Sequence, residues 1–194
     1  MKILTIGTDG FLGSWVNKLL QSEHSNFQIL EIPGKEECDL TEFSEISNYL
    51  KEKSPDIVIN CAAFVGGISY GYKYPVEMLS KNSLMAMNIY KASYENGVKK
   101  LINPISNCAY PAKFTTYKEE DIFNGPPDKS VFNYALSKRL FIQLGQAYFD
   151  QYTFSSANVV LSNMYGPGDH FYAERSHALG AIIKTIRDAK INNL

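Results

Sequence analysis

The order in which apolar segments follow one another constrains this chain most. Short runs rich in β-branched residues alternate with longer segments of helical period. "KILTI" (2–6) reads as a buried strand, and "SWVNKLLQS" (14–22) as a helix with Trp15, Val16, Leu19 and Leu20 on one face. "FQILEI" (27–32) is a second strand, Thr41 is expected to cap a helix running through Lys53, and "DIVINCAA" (56–63) is a third strand. A helical pattern over about 76–96 stops at Asn96-Gly97, a helix-ending pair. "KKLINPI" (99–105) leads a fourth strand, which Asn103-Pro104 is expected to interrupt because proline cannot donate to a ladder. Residues 112–130 read as a polar loop, 132–152 as a strong helix, "TFSSANVVLS" (153–162) as a strand and 176–190 as a last helix. Strands that alternate with helices fold as a parallel sheet joined by right-handed crossovers, so the predicted class is a doubly wound α/β domain.

With 194 residues, 45% of them apolar, the chain can build one substantial core, and it reads as one domain over 1–194. Acidic and basic residues are well mixed and the net charge is −1, so no basic face points to nucleic acid or an anionic membrane. No apolar stretch approaches the roughly 20 residues of a membrane span. "MKILTIG" enters a strand directly, without the pattern of a signal peptide. Cys38, Cys61 and Cys108 cannot all pair and have no zinc-site spacing, which predicts a reducing, cytoplasmic setting and no metal.

"GTDGFLG" places Gly7, Gly10 and Gly13 between the first strand and the first helix. Glycines there let the backbone turn tightly and approach a pyrophosphate, which the helix N-terminus attracts. Glu31, near the end of the second strand, is either a ligand for a ribose 2′-hydroxyl or an ordinary solvated carboxylate, and Asp39-Leu40 would border an adenine. "YALSK" sets Tyr134 and Lys138 four apart on one helix face. A phenol titrates near 10, and a lysine cation beside it is expected to lower that value, fitting tyrosine to exchange a proton with a carbonyl oxygen. Ser106, at the end of the fourth strand, can hydrogen-bond the same oxygen. Cys108, two residues on, is either a small buried residue or part of that chemistry.

With these residues the chain resembles the extended, nucleotide-sugar-modifying branch of the short-chain dehydrogenase/reductase superfamily, whose fold is of Rossmann type. "AAFVGGI" (62–68), "SNCAYP" (106–111), "NMYGPGDHF" (163–171) and "SHALGAII" (176–183) make it similar to the GDP-L-fucose synthase family within that branch. The resemblance implies NADP or NAD as cofactor, with Phe11, Leu12, Ala62 and Ala63 beside it together with the glycines, Tyr134 and Lys138. It implies 3,5-epimerisation followed by 4-reduction of a GDP-linked 4-keto-6-deoxy-hexose, with Cys108 and His177 moving protons at C3 and C5. Tyr134, Lys138 and Ser106 would serve the ketone oxygen. Asn163, Lys184 and Arg187 fall where that family meets its substrate, and a homodimer is implied. A simple 4-reductase, 4-epimerase or dehydratase of the same superfamily is the alternative, as is a dinucleotide-binding module without catalysis. The family's C-terminal substrate lobe is expected to be largely absent here. Thr8-Asp9 stands where the family carries a basic residue and Phe64 where a lysine is common, which opens NADH as the cofactor; Lys35 is the one nearby cation available to a 2′-phosphate.

Overall fold

The computed structural model describes residues 1–24, 26–169 and 178–192. Five strands, β1 (Lys2–Ile6), β2 (Gln28–Ile32), β3 (Ile57–Asn60), β4 (Lys100–Ser106) and β5 (Ser156–Leu161), form one parallel sheet in the order β2-β1-β3-β4-β5. The helices are α1 (Phe11–Glu23), α2 (Phe43–Lys53), α3 (Ile68–Lys73), α4 (Pro75–Glu95), α5 (Phe132–Tyr152) and α6 (Ala178–Ile191). The path from β1 to β2 runs one way across the sheet and every later crossover runs the other way. Right-handed crossovers therefore put α1 on one face and α2, α4 and α5 on the opposite one. The packing agrees: α4 contacts both α2 and α5, while α1 lies on β1 and β2. Sandwiched between layers, β1 and β4 supply Leu4, Ile6, Leu101 and Ile105 to the core, with Val58 from β3 and Ile89 and Tyr90 from α4.

Five expectations need correction. The first helix begins at Phe11 rather than 14, because the third glycine of the loop already belongs to its first turn. Seating Gly13 against the loop turns Asn17, one turn on, into the interior and leaves Trp15 and Leu19 exposed, so the buried face is not the one with the largest apolar residues. Thr41 does not cap α2; its amide and hydroxyl both donate to Asp39 Oδ1, and the helix starts after Glu42 without a side-chain cap. The third strand ends at Asn60, whose Oδ1 accepts the Ala62 N–H at 3.2 Å and draws the chain out of the ladder.

Pro104, finally, does not interrupt β4. Leu101 N–H donates to Ser155 O, so odd-numbered residues of β4 face β5 and even ones face β3. Pairing with β3 ends at Ile102, short of the proline, while Pro104 keeps its place opposite Val159 in the β5 register, on the side where its missing N–H is not used. The short helix α3 was not anticipated; Tyr74 ends it and Pro75 opens α4, the position where proline's missing N–H costs nothing.

Candidate active site

Because all five strands are parallel, the segments that follow them meet at one edge of the sheet. Strand order reverses between β1 and β3, and a crevice opens at such a switch point. The 7–13 loop sits there. Gly7 has φ of +82°, and a Cβ on it would lie 2.8 Å from the Ala62 amide nitrogen. A Cβ on Gly13 would run into the Gly7 carbonyl oxygen. The spacing thus serves three backbones in contact: the end of β1, the first turn of α1 and the turn after β3. Gly10 caps α1 without a side-chain bond, which leaves the first-turn amides of Phe11, Leu12 and Gly13 directed outward. Such a cradle fits a pyrophosphate. The Ala62 backbone meets the loop from the β3 end, and Ala63 follows it in the chain.

Two carboxylates stand beside the loop. Glu31 Oε2 accepts from Asn17 Nδ2 at 2.7 Å and from Thr8 Oγ1 at 3.1 Å. A Cβ on Gly34 would fall 2.6 Å from Asp9 Oδ2, so the Asp9 side chain lies over that glycine. Asp39 is occupied within its own turn: Lys35 at 2.9 Å and the two bonds from Thr41 hold its carboxyl down to about 2. Leu40 is buried in the core, leaving backbone to border a nucleotide base.

At the other end of the edge, β4 ends in Ser106, and the chain turns through a single 3₁₀ turn, Asn107–Ala109. Ser106 Oγ accepts the Cys108 N–H at 3.2 Å, so the two predicted residues share one turn. That turn packs against α5. On α5, Lys138 is 5% exposed, and its ammonium lies 5.5 Å from the centre of the Tyr134 ring and 3.4 Å from Pro104 O. Cys108 is partly covered rather than fully buried. Its neighbourhood reaches Tyr134, whose phenol it helps to raise.

The protonation balance differs from the sequence expectation. Burial pushes the Tyr134 phenol above its ordinary value, with Cys108 adding to the effect, and burial draws Lys138 down to about 8. Desolvation of both charged forms outweighs the attraction of lysine for phenolate. Cys61, at the end of β3, is pushed up to about 12 by burial, with Lys138 opposing.

Of the remaining predicted residues, Asn163 is exposed on the segment after β5. Lys184 and Arg187 lie on α6, and both pair with Asp188. His177 falls outside the described residues. Sequence reading missed the side chains that hold the site. Asn82, 1% exposed, accepts the Phe64 N–H and donates to Phe64 O and Met78 O, clamping the turn after β3. Arg139 donates to Ala109 O at 2.7 Å and Gly125 O at 2.9 Å, tying the Ser106 turn to the long loop. Trp15 Nε1 donates to Pro167 O at 2.9 Å and pins the "YGPG" segment to α1. An asparagine in mid-helix was the one available sign, since such a residue needs polar partners when buried.

Comparison with known proteins agrees with this geometry. The sequence model of the NAD dependent epimerase/dehydratase family matches residues 3–194. A putative GDP-L-fucose synthase 2 of Arabidopsis thaliana is 34% identical over 99% of this chain and 58% of its own length. A GDP-L-fucose synthase of Sinorhizobium fredii is 33% identical over 100% of this chain and 61% of its own. Among solved structures, a GDP-L-fucose synthetase from Naegleria fowleri bound to NADP superposes with a TM-score of 0.86 at 27% identity, covering 99% of this chain and 59% of that one. The chain thus spans about 60% of the length of the curated relatives it matches.

Proposed function

We propose, for a chain that belongs to the NAD dependent epimerase/dehydratase family, that it carries the cofactor half of a nucleotide-sugar epimerase/reductase. The substrate in this reading is a GDP-linked 4-keto-6-deoxy-hexose. The observation that carries it is the juxtaposition of Ser106 and Cys108 in one turn with Tyr134 and Lys138 on the helix packed against that turn. A nicotinamide dinucleotide, cradled by residues 7–13, would supply hydride to C4. Ser106 and Tyr134 hydrogen-bond the ketone oxygen, which stabilises the enolate formed when a proton leaves C3 or C5. Tyr134 then gives its proton to that oxygen on reduction, and buried Lys138, held by Pro104 O, stabilises the phenolate left behind. Inverting a carbon needs a base on one face and an acid on the other. Cys108, next to the ketone donors and partly exposed, suits one of these roles. His177 takes the other by resemblance alone.

The same reading includes a homodimer and a cytoplasmic setting. Val76, Leu84 and Met87 of α4 and Phe149 and Tyr152 of α5 are exposed apolar side chains that a second copy would cover. All three cysteines are free thiols, and among the described residues no helix is long and apolar enough to cross a membrane.

Tyr134→Phe tests the reductive half. In a protein in which this chain is joined to a substrate lobe, supplied with a GDP-linked 4-keto-6-deoxy sugar and reduced nicotinamide, the variant is expected to reduce about 10²–10⁴-fold more slowly than the parent, with dinucleotide binding retained. Reduction at the parent's rate would contradict the assignment.

A further inference from the structure

Resting on the reading that residues 7–13 cradle a dinucleotide, we propose that Glu31 and Asp9 make this chain select NAD(H) over NADP(H). The Naegleria fowleri relative was solved bound to NADP, so the proposal separates this chain from a structural neighbour.

The Glu31 carboxylate is held in place beside the loop. Asn17 Nδ2 and Thr8 Oγ1 both reach Oε2, and among the described residues Oε1 has no donor, so it is left to accept from a ligand. Tyr49 OH donates to Glu31 O at 2.7 Å and fixes the backbone under it. Asn17 is 7% exposed, and its own Oδ1 has no partner among the described residues. The cost of that buried orphan is accepted at a residue whose amide is turned toward Glu31. The Asp9 carboxylate, over Gly34, faces the same end of the cradle from the loop itself.

A ribose diol donates hydroxyl hydrogens, so a carboxylate fixed at this place recognises it. A 2′-phosphate has no such hydrogen to give and carries close to two negative charges at neutral pH. Against Glu31 and Asp9 it meets like charge and loses the bond. A cation could compensate, but Lys35, the nearest in the β2–α2 connection, is paired with Asp39. Asp9, Glu31, Asp39 and Lys35 together leave a local charge of −2, from three carboxylates and one ammonium. Lys81 is likewise engaged, 4.7 Å from the centre of the Phe64 ring.

Calorimetric titration of the 194-residue chain with NADH and with NADPH tests this without any turnover. NADH is expected to bind at least about tenfold more tightly, and the margin should narrow as salt rises. Glu31→Gln and Asp9→Asn, each removing a charge with little change of shape, should each bring NADPH closer to NADH, about tenfold for both together. NADPH binding as tightly as NADH to the parent would overturn the proposal and leave the cradle standing. So would a ratio that neither substitution moves. Binding of neither dinucleotide by folded protein would overturn the cradle itself.

Discussion

At one end of the site, Gly7 and Gly13 bring three stretches of backbone so close that a single added carbon has nowhere to go. At the other end, Tyr134 and Lys138 sit side by side on α5, and what matters is how much water has been removed from them. The cradle is rigid before any ligand arrives, because steric contact and backbone hydrogen bonds define it: Gly7 N–H donates to Ile32 O at 2.7 Å and Gly10 N–H to Gly7 O at 3.1 Å. The Tyr134–Lys138 end is set by electrostatics that a ligand would change, since new partners would reach groups whose charged forms burial now disfavours. Shape is settled by the chain in one case and completed by binding in the other.

Substitution should expose that difference. Gly13→Val adds three carbons against the Gly7 carbonyl, and the neighbour is backbone that cannot swing away. Overpacking of this kind costs about 1–3 kcal/mol or more. Urea unfolding should show a loss at the top of that range, and dinucleotide binding should disappear with it. A variant as stable as the parent would mean that the loop is pliable and the contrast false.

At the other end the effect is smaller and depends on pH. Lys138 titrates near 10.5 when unfolded and is drawn to about 8 when folded. Between those values the unfolded chain binds more protons, so the contribution of Lys138 to stability rises with pH across that window. Below about 8 the folded protein carries a buried ammonium and bears its cost in full. Lys138→Met should therefore be more stable than the parent at pH 7, by roughly 1–3 kcal/mol, and the gain should fade as pH approaches 10.5. Cys61, which burial raises, acts in the other direction in both proteins, and somewhat more strongly in the variant, where the opposing lysine is gone. A constant difference across that range would show that the lysine is not desolvated.

The same division explains what the sequence could disclose. Gly7, Gly10 and Gly13 are readable as spacing because their requirement is local and steric, and the alternation of strands and helices is readable as period. Tyr134 and Lys138 are readable as neighbours on a helix, but not their protonation, which depends on burial by β4 and Phe141, 5.1 Å from the lysine. Pro104 looked like a break because its tolerance depends on where β3 stops, a fact of pairing rather than of the strand itself. Asn17, Asn82 and Arg139 stayed hidden for a related reason: Glu31, Phe64 and Ala109, which they hold, lie 14, 18 and 30 residues away. The outward turn of Trp15 and Leu19 is a consequence of seating Gly13, and no count of apolar residues would give it.

The central claim is that one turn, Ser106 to Cys108, joins two chemistries. Incubation of the chain joined to a substrate lobe with a GDP-linked 4-keto-6-deoxy sugar in D₂O, read by mass spectrometry, tests it most directly. A thiol titrates near 8.5, whereas a serine hydroxyl barely ionises at neutral pH, so Cys108→Ser should lower deuterium uptake at C3 and C5 by at least about 100-fold. Reduction should continue through Ser106 and Tyr134, giving the unepimerised 6-deoxy sugar. Deuterium uptake in Cys108→Ser equal to the parent's, or loss of both activities in step with loss of folded protein, would contradict the claim.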